Sequence, residues 1–330
     1  MKLTAEQSLI EVDHIEILVL IDNQTDSLSS TPDNFRSEWS NLHKAGMSQL
    51  SGSCQCCANH GLALLVKAYS GDKAHTVLFD AGPVDFAVEY NSTRLGARLE
   101  EVEAVVLSHG HWDHAGGLLQ ALDLIQAAEE KPELPVYLHP EMFRQRALPM
   151  PNEGLLPIKD IPNPQDIEHH HGTPVITDQS AAFLDNMFYV SGEIPRITSY
   201  EQGFPGHMRR SVDGTEWEPD PLIMDERYFA VNVRGKGLVV FSACSHAGIV
   251  NVMHAARNDF PDSSLHALMG GFHLSGGNEK IIEQTVDDFG QFDVDLILPG
   301  HCTGWRAVNS LEQEFGDKVV PTAVGMSITI

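Results

Sequence analysis

The apolar positions of this chain fall mostly in short unbroken runs rather than in alternation. Residues 15–21, 76–79, 104–107, 136–138, 237–241, 265–269 and 295–298 are each of strand length and are bounded by polar or turn-forming residues. Such runs read as strands buried on both faces, as in a parallel or mixed sheet covered by helices. Between them, residues 118–130, 249–258 and 280–289 are apolar on one face and polar on the other, which predicts helices, the first closed by Pro132. Strands alternating with helices predict an α/β protein. Two stretches break this rhythm, at about 24–58 and 140–230; the second is crowded with Pro149, Pro151, Pro157, Pro162 and Pro164. They are expected to be insertions, loops and short strands laid over the core of a single domain spanning 1–330.

The apolar runs end on residues capable of chemistry. They lead into Asp22-Asn23, Asp80-Ala81-Gly82, His109, His139-Pro140, Cys244-Ser245-His246, Gly271-Phe272-His273 and His301-Cys302. Ligands of covered sheets gather beyond the carboxyl ends of strands, so one rim is expected to hold the active site. The densest of these endings is Ser108 to Gly117, which places His109, His111, Asp113 and His114 within six residues. All four suit zinc, iron or manganese. A tight turn between strand and helix would aim His109 and His111 at one cation and Asp113 and His114 at a neighbouring one.

Charge and composition narrow the function. The chain carries 46 acidic and 21 basic residues, a formal net charge of −25. That disfavours a nucleic-acid partner, whose phosphates need cationic neutralisation. Arg209-Arg210 is a local basic patch able to hold one small anion. No run approaches the ~20 apolar residues of a membrane span. Residues 1–7 do not resemble a secretory leader. The expectation is a cytoplasmic protein acting on a small molecule, with no membrane partner and its oligomeric state open. Five cysteines, an odd number, do not suggest a disulfide framework. Cys54, Cys56 and Cys57 near His60 lack paired Cys-x-x-Cys spacing; loop cysteines and a separate structural zinc are the two readings. His169-His170-His171 reads as a solvated loop.

The string His109-Gly110-His111-Trp112-Asp113-His114 followed by Gly116-Gly117 resembles the signature of the metallo-β-lactamase superfamily. The resemblance implies a four-layer αβ/βα sandwich with two facing mixed sheets and a dinuclear metal site at one edge. It also implies a last histidine ligand, which Leu298-Pro299-Gly300-His301 supplies. The superfamily's usual middle histidine element is missing. His246 would then serve the first cation, and the thiolate of Cys244 would replace the bridging carboxylate, although a free cysteine is also at home as a small buried hydrophobe. Asp80 matches the first motif of the superfamily, where a carboxylate accepts a hydrogen bond from a ligand imidazole.

A narrower resemblance rests on Asp22-Asn23, His60-Gly61-Leu62, Gly192 to Arg196, Cys244 to Asn251, Gly270 to Leu274 and Gly300 to Gly304. Together these look like the dihydropterin–ribofuranosylaminobenzene phosphate synthase-like branch, from about residue 14 to the end. The branch implies a small phosphate-bearing metabolite of pterin or aminobenzene ribosyl type. His273 and His60 would lie near the rim, touching substrate or a further metal, or serving only structure. Glu193 and Arg196 are candidates for substrate contact, Arg196 as a clamp for phosphate or carboxylate or as a plain salt bridge.

The chemistry implied is metal-dependent hydrolysis of a phosphoester, ester or lactone bond. Two divalent cations, zinc ahead of iron or manganese, would acidify a shared water to hydroxide, with Asp113 as the catalytic ligand that orients it. Two rivals share the fold: a diiron redox protein, which usually carries Glu at the place of His111, and a non-catalytic small-molecule sensor.

Overall fold

A computed structural model describes residues 9–127, 134–151 and 154–330. The expected helix end at 130, its closing Pro132 and the segment 1–7 lie outside these.

Two mixed sheets form the body. In the first, the order is Gly172–Ile176, Leu134–Leu138, Val102–Val106, Lys73–Phe79, Ala63–Ser70, His14–Ile21, Ser327–Thr329 and Phe35–Arg36. In the second it is Ala181–Phe183, Phe188–Val190, Phe229–Val233, Gly237–Ser242, Leu265–Gly271 and Leu296–Gly300, with Glu11–Val12 joining Phe229–Val233. The expected apolar runs all lie within or overlap these strands. Their inner faces meet through Val19, Leu64, Phe79, Val106, Phe229, Phe241, Met269 and Leu298, all buried. The rings of Phe79 and Phe229 stack at 5.4 Å. Outside the first sheet, Val88, Leu118, Leu122 and Ile125 bring in the helices Asp85–Leu95 and Leu118–Gln126. Outside the second, Val252, Met253, Phe289 and Leu311 bring in Ile249–Asp259, Ile282–Phe289 and Trp305–Phe315. The result is the expected four-layer αβ/βα sandwich. No helix among the described residues is long and apolar enough to cross a membrane.

The register of the parallel strands sets the rim. Phe79 lies opposite Val106, and Val106 opposite Tyr137. In the other sheet Ser242 lies opposite Gly270, and Gly271 opposite Gly300. The residues following these positions therefore emerge side by side from two facing sheets.

Three expectations need correction. The helix expected over 280–289 starts as a 3₁₀ turn, Gly276–Ile281, before the α-helix Ile282–Phe289. His169 is not in a solvated loop: it ends the helix Pro164–His169, which Asn163 and Asp166 cap reciprocally. His170 then pairs with Asp123 at 2.8 Å. The stretch 140–230 is also less of a cover than expected. It adds Gly172–Ile176 to the first sheet, and Ala181–Phe183 with Phe188–Val190 to the second. Phe183 and Phe188 bury in the core between the sheets, which ties this hairpin to the body. The remainder builds a third, antiparallel sheet of Trp217–Pro219, Met208–Arg210, Arg146–Met150 and Gly154–Ile158.

Candidate metal centre

The histidine turn leaves the strand Val102–Val106 and is fastened by carboxylates from elsewhere. Asp80 follows Lys73–Phe79 in left-handed backbone, φ 58°. Its carboxylate accepts from the Ser108 amide at 2.8 Å, the Ser108 hydroxyl at 2.8 Å and His114 Nδ1 at 2.7 Å. Asp225 accepts from the Gly110 amide at 2.8 Å and from buried Arg146 at 2.6 Å. Burial opposes the charge on Asp225, but Arg146 holds its pKa below the usual carboxylate range. Residue 110 must be glycine, because a Cβ there would meet the backbone of Met142, its Cα at 2.7 Å.

These bonds settle which ring nitrogens carry hydrogen, since a carboxylate or a carbonyl can only accept. His114 donates from Nδ1 to Asp80, so its Nε2, 3.2 Å from Cys244 Sγ, is the nitrogen left to face the centre. The single hydroxyl hydrogen of Ser108 goes to Asp80, so Ser108 Oγ accepts from His109 Nδ1 at 2.9 Å and leaves His109 Nε2 bare. His207 donates from Nδ1 to the Asp220 carbonyl at 3.0 Å; its Nε2, 3.0 Å from His111 Nε2, then accepts from His111. That leaves His111 Nδ1 bare as well. His109 Nε2 and His111 Nδ1 face each other at 3.0 Å with no hydrogen between them. His301 donates from Nδ1 to Asn23 Oδ1 at 3.0 Å, and its Nε2 points toward Asp113 Oδ2 at 3.4 Å. His246 is buried with neither ring nitrogen hydrogen-bonded.

Lone pairs crowded together without intervening hydrogens repel unless a cation sits among them. The donors gather in two sets: Asp113, His114, Cys244 and His301; and His109, Cys244 and His246. Cys244 belongs to both, and also to a third set with His273 and Cys302. The residues therefore fit one or two metal ions. Electrostatics agree. Burial and neighbouring imidazoles push the pKa of His109, His111 and His246 well down, which keeps these rings neutral. Burial opposes ionisation of Asp113, but His114 and His301 overcome it and hold the carboxyl below its ordinary range. Burial also opposes charge on His114, but Asp113 and Asp80 raise its pKa to about 9.

Other expected residues spread around this centre. His60 stands at its mouth, 59% exposed, with Nε2 3.5 Å from Asp113 Oδ2. His273 is largely buried, its ring 4.4 Å from that of His246 and its Nδ1 unpartnered. Glu193 is half-exposed and faces His139 Nε2 at 3.6 Å. Arg196 is corrected: its fork is spent on the backbone carbonyls of Ile194, Leu222 and Ile223, so it ties a loop instead of presenting a clamp. Arg209 is likewise committed, to Glu218 at 2.8 Å and Glu141 at 3.2 Å. The Cys54 thiol turns to the Gln49 carbonyl at 3.3 Å, and among the described residues the Cys54–Cys57 run joins no metal-sized donor set.

Four contributors were not singled out from the sequence. His207 sits in the insertion, after no strand, and carries no spacing signal. Asp225 belongs to the acidic pair Asp225-Glu226 on a loop before Phe229–Val233. Glu226 accepts from the amides of His246 at 2.8 Å and Ala247 at 2.6 Å, and burial raises its carboxyl to about 6. Cys302 directly follows the last histidine, and that adjacency was the available clue.

Residues 59–185 match the family model of the metallo-beta-lactamase superfamily. The 7,8-dihydropterin-6-methyl-4-(beta-D-ribofuranosyl)-aminobenzene-5'-phosphate synthase of Methanocaldococcus jannaschii is 26% identical over 261 residues, 78% of this chain and 85% of that protein. An uncharacterized protein of the same organism is 29% identical over 260 residues, 78% of this chain and 88% of its own length. A crystal structure of a metal-dependent hydrolase of the β-lactamase superfamily superposes with a TM-score of 0.68 at 24% identity, covering 95% of this chain and 98% of the other. This chain has the metallo-β-lactamase superfamily fold, and metal-dependent hydrolysis is consistent with that fold and with the His/Asp/Cys cluster at its rim.

Proposed function

We propose that the protein hydrolyses a small phosphate ester or related anionic metabolite with two divalent cations, zinc first. The observation that carries this reading is the set of outward hydrogen bonds: His109, His111, His114 and His301 each spend one ring hydrogen outward and turn the other ring nitrogen inward. His109, His111 and His246 would hold one cation, Asp113, His114 and His301 the other, with Cys244 between them. Imidazole with thiolate favours zinc, and iron or manganese are accepted by the same nitrogen and oxygen donors.

Bound cations would supply Lewis acidity and bring the pKa of water toward neutrality. The chain does the rest. Asp80 and Asn23 keep His114 and His301 in the tautomers a cation needs. Asp113 Oδ2, ionised and central to His60, His114 and His301, orients the attacking water. His60 is placed to meet a substrate oxygen. A cavity of about 540 Å³ runs beside the centre, with Asn23, His301 and Trp305 in its wall, and is large enough for a small metabolite. The phosphate-ester class is supported by the 5'-phosphate in the name of the relative that is 26% identical. Five free cysteines suit a reducing compartment, the cytoplasm.

The test is turnover of phosphomonoester, phosphodiester and lactone substrates by zinc-loaded, untagged protein. Asp113→Ala should cut the rate by at least about 10²-fold, the scale of misplacing a reacting group. Undiminished turnover in Asp113→Ala or His111→Ala would remove the proposal.

A further inference from the structure

Cys244 and Cys302 stand out among the buried groups that hydrolysis does not fully use. They are 58 residues apart in sequence, yet their Sγ atoms are 3.4 Å apart. Each follows the end of a strand, Gly237–Ser242 and Leu296–Gly300, and these strands flank Leu265–Gly271. Gly271 lets the two loops close over the intervening strand. A Cβ at that position would lie 2.6 Å from Cys302 Sγ and would also strike the Ala243 carbonyl. The two thiols are free. Cys302 Sγ has the Cys244 carbonyl at 3.5 Å and the Cys244 sulfur as its acceptors. Cys244 is also the donor common to all three gathered donor sets.

We propose that Cys244 and Cys302 are a reversible disulfide site in the floor of the centre, formed by a hydroperoxide oxidant. Sulfur–sulfur bonding needs an approach of about 1.4 Å from the present separation to the ~2.0 Å bond. One thiol sulfur attacks hydrogen peroxide, its O–O bond breaks, and a sulfenic acid and one water result. The second sulfur displaces the sulfenic hydroxyl as a second water. Two thiols and one peroxide thus become one disulfide and two waters, the peroxide oxygens taking the two electrons. Once cross-linked, Cys244 no longer offers a thiolate, so all three donor sets lose their common member. The cross-link stands apart from the hydrolase reading; its effect on cation loading rests on that reading.

The experiment uses the full chain, stripped of metal by chelation, with one equivalent of hydrogen peroxide. Peptide mapping by mass spectrometry should find Cys244 and Cys302 peptides joined, two mass units light, and separated again by dithiothreitol. The oxidised protein should bind at least tenfold less zinc at a fixed free concentration than the reduced protein, and prior loading with zinc should slow cross-linking at least tenfold. Cys302→Ser should abolish the joined peptide, while the wild-type measurement stands whether or not that variant folds. Over-oxidation of either cysteine without a joined peptide, or joining of Cys244 to the Cys54–Cys57 run, would overturn the site. A joined peptide with zinc binding unchanged would overturn its control of the metal. Because none of these readouts uses turnover, absence of hydrolysis would count against the hydrolase alone.

Discussion

His207 hangs from a backbone carbonyl, and a carbonyl cannot give a hydrogen back. That one-way bond to Asp220 passes along the pair of rings and turns the His111 lone pair inward. Replacing His207 with Ala should therefore weaken cation binding about 10- to 100-fold, the usual cost of losing a partner that orients a ligand. His207→Gln, whose amide oxygen can still accept, should recover part of it. Competition with a chromophoric chelator reads the affinity, and equal affinity in all three proteins would refute the relay. His114 gives a second outcome. Burial disfavours its charge, yet Asp113 and Asp80 raise its pKa to about 9, so the cation-free protein holds this proton at neutral pH. A cation needs the lone pair that the proton occupies. Binding at pH 7 should then release about one proton from this ring, and apparent affinity should climb up to tenfold per pH unit until about 9, where the gain stops. Calorimetry in two buffers of different ionisation enthalpy measures the release; a heat independent of buffer would contradict it.

Strands end at the centre, and other elements lock what they present. The histidine turn is held by Asp225, itself held by Arg146 from the strand Arg146–Met150, a buried pair 2.6 Å apart. Asp225→Ala leaves a buried guanidinium without its counter-charge and frees the Gly110 amide. A loss of about 3–5 kcal/mol is expected, read as a shift of the urea midpoint; a midpoint within error of wild type would show the pair to be dispensable. The strand-end pattern placed Asp80, the histidine turn, Cys244, His246 and His301 at one rim, and the superfamily resemblance, not period, supplied the roles expected of Asp80, Cys244, His246 and His301. It could not show His207 or Asp225, which come from an insertion and a loop where no period announces a side chain's direction. Arg196 misled for the same reason: its chemistry was visible, but the carbonyls of Ile194, Leu222 and Ile223 that occupy it were not. The insertion itself read as cover because strands such as Ala181–Phe183 and Phe188–Val190 are too short to show alternation.

On the scale of the whole molecule, two sheets share one core and deliver their parallel ends to one rim, which is why residues 80, 109, 244 and 301 meet despite their separation in sequence. Cations that bind only the folded chain stabilise it by mass action, about 2.7 kcal/mol at a hundred times the dissociation constant. Chelation should lower Tm and zinc should restore it; an unchanged Tm would argue against specific binding. The most direct measurement is anomalous diffraction from crystals of untagged, zinc-loaded protein. The account predicts two peaks, one among His109, His111 and His246, the other among Asp113, His114 and His301, both beside Cys244. No peak among these side chains, with His109 Nε2 and His111 Nδ1 turned apart, would contradict it.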